Sequence, residues 1–304
     1  MITAYQASRW RHAVTIRYSV RMIRNRLFIA VAGACAVGFA SGCADDLPLA
    51  GANTSEAESI FSVFAPPSPA EAAAMAVNEY SADDRQLGIL LLANAPWGGS
   101  EVYVNLYRLG LDDEDGAVRT AAVRAIGLHG SPEDAEIIAT MLDDPDRLVR
   151  WEAARSLQRL HNPAVAGALI TKTSGSNEDE VPVRAAAATA LGQYPEQRVL
   201  DALILALDDP DLTVNAAARD SLAVLTGEDF GYEPRPWVEF VRGNPEPFAG
   251  RELYTYPAFS RDRKWFEWFN PFFDVPNEIS AAPVGMTGEE LRREREDASD
   301  DSGG

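Results

Sequence analysis

The sequence predicts an all-α solenoid of stacked helical hairpins, closed at its C-terminal end by an irregular, aromatic-rich cap. Three observations predict it. First, Val118, Val149, Val183 and Val214 stand 31, 34 and 31 residues apart. Second, the residues that follow them match position by position. Four residues on stand Ala122, Ala153, Ala187 and Ala218; seven on, Ala125, Ser156, Ala190 and Ser221; eight on, Ile126, Leu157, Leu191 and Leu222. Positions 0, 4, 7 and 8 share one face of a 3.6-residue helix, and small residues at two of them let a neighbouring helix come close. Third, each such segment meets a break, at Gly130-Ser131-Pro132, His161-Asn162-Pro163 or Tyr194-Pro195, and a second apolar segment follows. A single hairpin cannot bury both its faces, so the hairpins must stack.

The elements are justified in chain order. Residues 1–42 read as an address. Leu27 to Ala40 is an apolar run of 14 residues with Arg24 and Arg26 before it. That is short for a membrane span, which needs about 20 apolar residues, and has the length of a signal-peptide core. Residues 1–21 add nothing to such a signal, and Met22 would serve equally as the start. The run ends in Ala40-Ser41-Gly42-Cys43, which resembles the lipobox of bacterial lipoproteins. The resemblance implies that Cys43 is acylated and becomes the first mature residue. The protein would then be lipid-anchored in the bacterial envelope, facing the periplasm or the outside. An uncleaved, short membrane helix is the other reading of the run. Residues 43–69, with Pro66-Pro67-Ser68-Pro69 at their end, read as a flexible tether.

Residues 70–242 read as about five hairpins. Residues 70–79 form a short Ala-rich helix, and a degenerate unit with Arg85 in register runs from about Ser81 to Leu111. Asp144-Pro145-Asp146 and Asp209-Pro210-Asp211 predict helix starts, the first Asp capping and Pro opening the helix. Ile137, Ile138, Met141 and Leu142, and Val199, Leu200, Leu203, Leu205 and Leu207, supply the apolar residues of second helices. Trp237, Val238, Phe240 and Val241 supply those of the last one. This spacing resembles HEAT repeats in the short form of phycobilisome-lyase-like proteins. The resemblance implies a right-handed solenoid that binds other proteins. It also implies a buried ladder of arginine and carboxylate between neighbouring units, from Asp113, Arg119, Asp144, Arg150, Glu178 and Arg184. Asn215 stands where the next arginine would be, so the ladder ends there.

Residues 243–288 form the capping extension, in which Trp265, Trp268 and Phe269 are read either as part of the cap or as a contact surface for a partner or a membrane interface. Residues 289–304 are acidic and rich in Ser, Asp and Gly, and read as a disordered tail.

Composition narrows the function. The chain holds 46 acids and 27 bases, for a net charge of −19. Removing residues 1–42, which hold six arginines and no acid, takes this to −25. A nucleic-acid binder needs a basic surface, so nucleic acid is excluded as a partner. Two cysteines and three histidines leave no room for a Cys₄ zinc site or a histidine-rich metal centre. There is no Gly-rich phosphate loop, no Gly-x-Ser-x-Gly and no Cys/His pairing, and hence no catalytic residue or cofactor to assign. The acidic clusters at 112–115, 143–144, 178–180 and 208–209 are read as helix caps or as a docking strip for a basic partner or a weakly held divalent cation. His129 and His161 are read as caps of helix C-termini. The expectation is a scaffold for a protein or peptide, without catalysis. A lyase-like or cation-dependent enzyme on the same scaffold and a purely structural spacer are its alternatives.

Overall fold

The computed structural model describes residues 67–258, 262, 264 and 279–286. Cys43, Trp265, Trp268, Phe269, the signal segment and the acidic tail lie outside the described residues. Among the described residues there are eleven α-helices: α1 (Pro69–Ala76), α2 (Ala82–Ala93), α3 (Glu101–Leu109), α4 (Gly116–His129), α5 (Asp134–Thr140), α6 (Arg147–Ser156), α7 (Ala166–Lys172), α8 (Val181–Leu191), α9 (Gln197–Ala206), α10 (Leu212–Thr226) and α11 (Pro234–Gly243). None of them is long and apolar enough to cross a membrane. After the leading α1 they pair as five hairpins, α2/α3 through α10/α11.

Local chemistry sets the helix starts. Ser68 accepts the Glu71 N–H while the Glu71 carboxylate accepts the Ser68 N–H, a reciprocal cap on α1. Asp115, Asp146 and Asp211 cap α4, α6 and α10 through their side chains. The two Asp-Pro-Asp motifs thus differ from the sequence reading. The second Asp, not the first, is the cap, and Pro lies before it. The first Asp is thereby released for another role. At the other end of α10, Gly227 adopts a φ of 75°, the left-handed conformation that glycine takes without steric cost.

The first helices α2, α4, α6, α8 and α10 pack side by side in one row. None of the sixteen repeat positions, from Val118 to Leu222, is more than 4% exposed, so the whole shared face is an interface between helices. Two of its small residues do more than make room. The Ser156 hydroxyl donates to the Val123 carbonyl at 3.0 Å, and the Ser221 hydroxyl to that of Ala188 at 2.8 Å. Gln158 donates across the same row to Ala186 at 3.0 Å. The two serine bonds reach back to the preceding hairpin and the Gln158 bond reaches forward to the next, and each fixes the relative slide of two neighbours.

The second helices α3, α5, α7, α9 and α11 form the other row. Ile138, Leu142, Val199, Leu200, Leu203 and Leu207 point inward and are buried. Ile137 and Leu205, apolar residues of the same helices, do not: they are 39% and 75% exposed. In the last hairpin Trp237 is fully buried, its Nε1 donates to the Gly231 carbonyl at 2.9 Å, and Phe230 meets it edge-on at 5.0 Å.

The described part of the C-terminal extension returns along the edge where first helices turn into second ones. Glu252 N–H donates to Val224 O at 2.8 Å, beside α10. Tyr254 is buried against Gly192, just past α8. Val284 exchanges two backbone hydrogen bonds of 2.8 Å with Arg159 and His161, beyond α6, in a parallel bridge to Leu160. Gly285 lies on Pro132, beyond α4.

Candidate binding site and the inter-hairpin ladder

The first carboxylate of each loop, Asp or Glu, receives an arginine from the hairpin before. Arg119 Nε and Nη2 donate to the two oxygens of Asp144 at 2.8 and 2.9 Å. Arg150 does the same to Glu178 at 2.8 and 3.0 Å, and Arg184 to Asp209 at 2.8 and 3.0 Å. Arg85 opens the series on Asp113 at 2.7 and 2.9 Å. Each arginine also uses Nη1 on carbonyls at its own hairpin's entrance, as Arg119 does on Asp113 and Glu114 at 2.8 and 3.1 Å. Each acceptor carboxylate takes one more bond, from the N–H two residues on: Asp115, Asp146, Glu180 and Asp211. The bidentate pair and the backbone bond to its carboxylate recur four times, and the two Nη1 bonds three times, Arg85 making a single one to the Asn78 carbonyl.

The residues six apart in sequence, such as Asp113 and Arg119, therefore meet through a backbone carbonyl, and the charge pairs join successive hairpins. The last position confirms the logic of the motif. Asn215 Nδ2 reaches the carbonyls of Leu207 and Asp209, as an arginine Nη1 would, and has nothing left to send forward. Hydrogen bonding from Arg85 holds the Asp113 carboxyl below its usual range. Burial pushes Asp144 and Glu178 upward, but the guanidinium and backbone N–H bonds outweigh it and leave both below their usual values. Bidentate pairs of this kind add geometric specificity as well as energy. A second inter-hairpin pair, Arg108 with Asp134 at 2.7 and 2.9 Å, links α3 to α5. It has no repeat in the sequence, and nothing there marks it.

The acidic clusters divide accordingly. Their buried members serve the ladder and Asp115, Asp146 and Asp211 serve as caps. Asp143 is 82% exposed at its side chain yet bonded to Lys172 at 2.8 Å, while Asp112, Asp179 and Asp208 face solvent. Among the described residues no group of three or more His, Cys, Asp or Glu is placed to hold a metal ion.

The two histidines take different places. His129, in the last turn of α4, has Nε2 2.7 Å from the Ala93 carbonyl at the end of α2, so it closes the preceding hairpin's helix. His161 lies past the end of α6. Its ring stacks on Tyr194 at 5.2 Å and its Nδ1 is 3.1 Å from Gln193 Oε1, which corrects its reading as a helix cap.

The row of second helices carries open depressions. One of about 490 Å³ lies between α7 and α9 and is lined by Ile170, Thr173, Leu205, Asp208 and Pro210. Another of about 440 Å³ lies between α9 and α11, with Asp201, Ile204, Leu205, Val238, Val241 and Arg242. Leu205 belongs to both and stands between them as a ridge. Val102 and Leu109 on α3 are exposed to 72% and 75%. Such apolar side chains on an otherwise polar surface suit a contact surface. The titratable groups at the α9/α11 depression are Asp201 and Arg242.

A family model described as HEAT repeats matches residues 72–158, 104–181 and 135–223. Among solved structures, the complex of CpcE and CpcF of phycocyanin lyase from Nostoc sp. PCC7120 is similar at 21% identity and a TM-score of 0.45, over 67% of this chain and 76% of that one. YibA from E. coli is similar at 19% identity and a TM-score of 0.43, over 58% and 68% of the two chains. No curated protein matches the sequence.

Proposed function

This chain belongs to the HEAT-repeat proteins, and on that footing we propose that it is a lipid-anchored scaffold of the bacterial envelope that binds a protein or peptide without catalysing a reaction. The observation that carries the reading is the face of second helices at α7, α9 and α11. There two open depressions flank the exposed Leu205, with Asp201, Asp208 and Arg242 around them. Apolar area at the centre with charge at the rim is the arrangement of a protein contact. An enzyme would need convergent titrating groups in a closed pocket, and these depressions are open and mostly apolar. The anchor rests on the apolar run Leu27 to Ala40 and on Cys43. Two or three acyl chains, at about 0.8 kcal/mol per buried methylene, would hold the protein firmly.

The test is a photo-crosslinker placed at position 205 in intact envelopes. A defined adduct is expected, and Leu205→Asp, which keeps the melting temperature, should lose the partner. No adduct above a charge-matched control would reject the scaffold and leave a spacer. Mass spectrometry of the mature N-terminus tests the anchor separately: an acylated Cys43 is expected, and an unmodified chain beginning before it would reject lipidation.

A further inference from the structure

In a repeat array each unit touches only its neighbours, so stability is a sum of local terms and the ends can open alone. The described C-terminal segments break that rule. Residues 250–256 lie against α10 and the end of α8, through Glu252 on Val224 and Tyr254 over Gly192 and beside Tyr194. Residues 279–286 lie against the turns after α6 and α4, through Val284 on Arg159 and His161 and Gly285 on Pro132. The two segments are tied to each other. Tyr256 N–H donates to Ala281 O at 3.1 Å, and the Ser280 hydroxyl donates to Tyr256 O at 2.6 Å. The Arg159 guanidinium lies 4.5 Å from the centre of the Tyr256 ring, joining both to the α6 turn.

We propose that residues 250–256 and 279–286 are a belt along the turn edge that couples four successive hairpins, neighbours and non-neighbours alike, and makes those four open as one unit. The fit at its far end is specific. Gly285 has a φ of 100°, and a Cβ there would fall 2.5 Å from Pro132 Cγ and 2.8 Å from His161 O. Val284, by contrast, is 55% exposed, so its hold is backbone pairing and not side-chain burial. At the near end Tyr254 is buried, and its hydroxyl has no hydrogen-bond partner among the described residues, so packing alone keeps it there.

The test is hydrogen exchange and urea unfolding of the full chain. The His161 amide lies outside any helix, yet in the wild type it should exchange as slowly as amides in α6 and α8. That protection should not change with protein concentration. Gly285→Val should speed its exchange on the order of tenfold or more, as loss of two backbone hydrogen bonds implies. The single unfolding transition should also split in two. Val284→Pro removes only the N–H to Arg159 O, at an exposed side chain, and gives the same readout should Gly285→Val fail to fold. An unprotected His161 amide in the wild type overturns the belt. Unchanged single-transition unfolding in both variants overturns the coupling. Protection that grows with concentration shows that the segment comes from a second copy, which overturns the intramolecular assignment.

Discussion

Arg119→Met isolates one rung of the ladder. The substitution keeps much of the aliphatic stem and removes four hydrogen bonds, two to Asp144 at 2.8 and 2.9 Å and two to the carbonyls of Asp113 and Glu114. The Asp144 side chain is only 5% exposed, and it would keep one partner, the Asp146 N–H at 2.7 Å. A buried carboxylate stripped of its counter-charge costs about 3–5 kcal/mol. Native stability itself is about 5–15 kcal/mol. At about 2–4 °C per kcal/mol for a body of this size, the melting temperature should fall by about 6–20 °C. The double variant Arg119→Met, Asp144→Asn removes the charge while the amide oxygen still accepts from Asp146. It should recover more than half the loss. Thermal unfolding followed by circular dichroism measures both, and the double-mutant cycle isolates the pair. A loss under about 1 kcal/mol for the single variant, or a double variant no better than the single, would refute the claim that burial of the carboxylate sets the cost.

Acid should act on the same groups. Asp113, Asp144 and Glu178 sit below their usual range in the folded state. Their contribution is therefore complete above the unfolded values, about 3.9 for Asp and 4.3 for Glu, and is lost as pH falls through the folded ones. The urea midpoint should hold steady down to about pH 5 and drop below about pH 4; a midpoint that rises on acidification contradicts the ladder. Ser156→Ala and Ser221→Ala each delete one buried bond between hairpins, and each should cost about 1 kcal/mol in urea unfolding. Ala187→Leu places a large side chain where α8 meets its neighbours with no exposed surface, and should cost about 1–3 kcal/mol or prevent folding; a neutral result would contradict close packing in the row of first helices.

What the sequence made legible was local in origin. The face of Val118, Ala122, Ala125 and Ile126 follows from the pitch of one helix, and its repetition at Val149, Val183 and Val214 needs nothing but counting. The cap was misplaced because either Asp of Asp-Pro-Asp can accept a backbone N–H. Only the arriving arginine, 25 residues away for Arg119 and Asp144, decides which one is free to do so. The exposure of Leu205 was hidden because apolar periodicity does not say where an interface stops. His161 was assigned to a helix end since Asn162-Pro163 marks a break, whereas α6 stops earlier, at Ser156. The pairing of His161 with Val284 had no signal at all. It joins an irregular segment to a turn through backbone atoms, and backbone atoms leave no trace in composition. Cys43, Trp265, Trp268 and Phe269 lie outside the described residues.

The ladder and the return segment have opposite consequences for ancestry. Because every rung has the same plug at one side and the same socket at the other, a hairpin could be duplicated or lost in the gene without rewriting either junction, until Asn215 closes the run. The return segment is measured to four turns in a row. An added hairpin between Pro132 and Gly227 would set part of those contacts one turn away from their partners, so the copy number of the central hairpins is matched to a stretch of chain that itself carries no repeat.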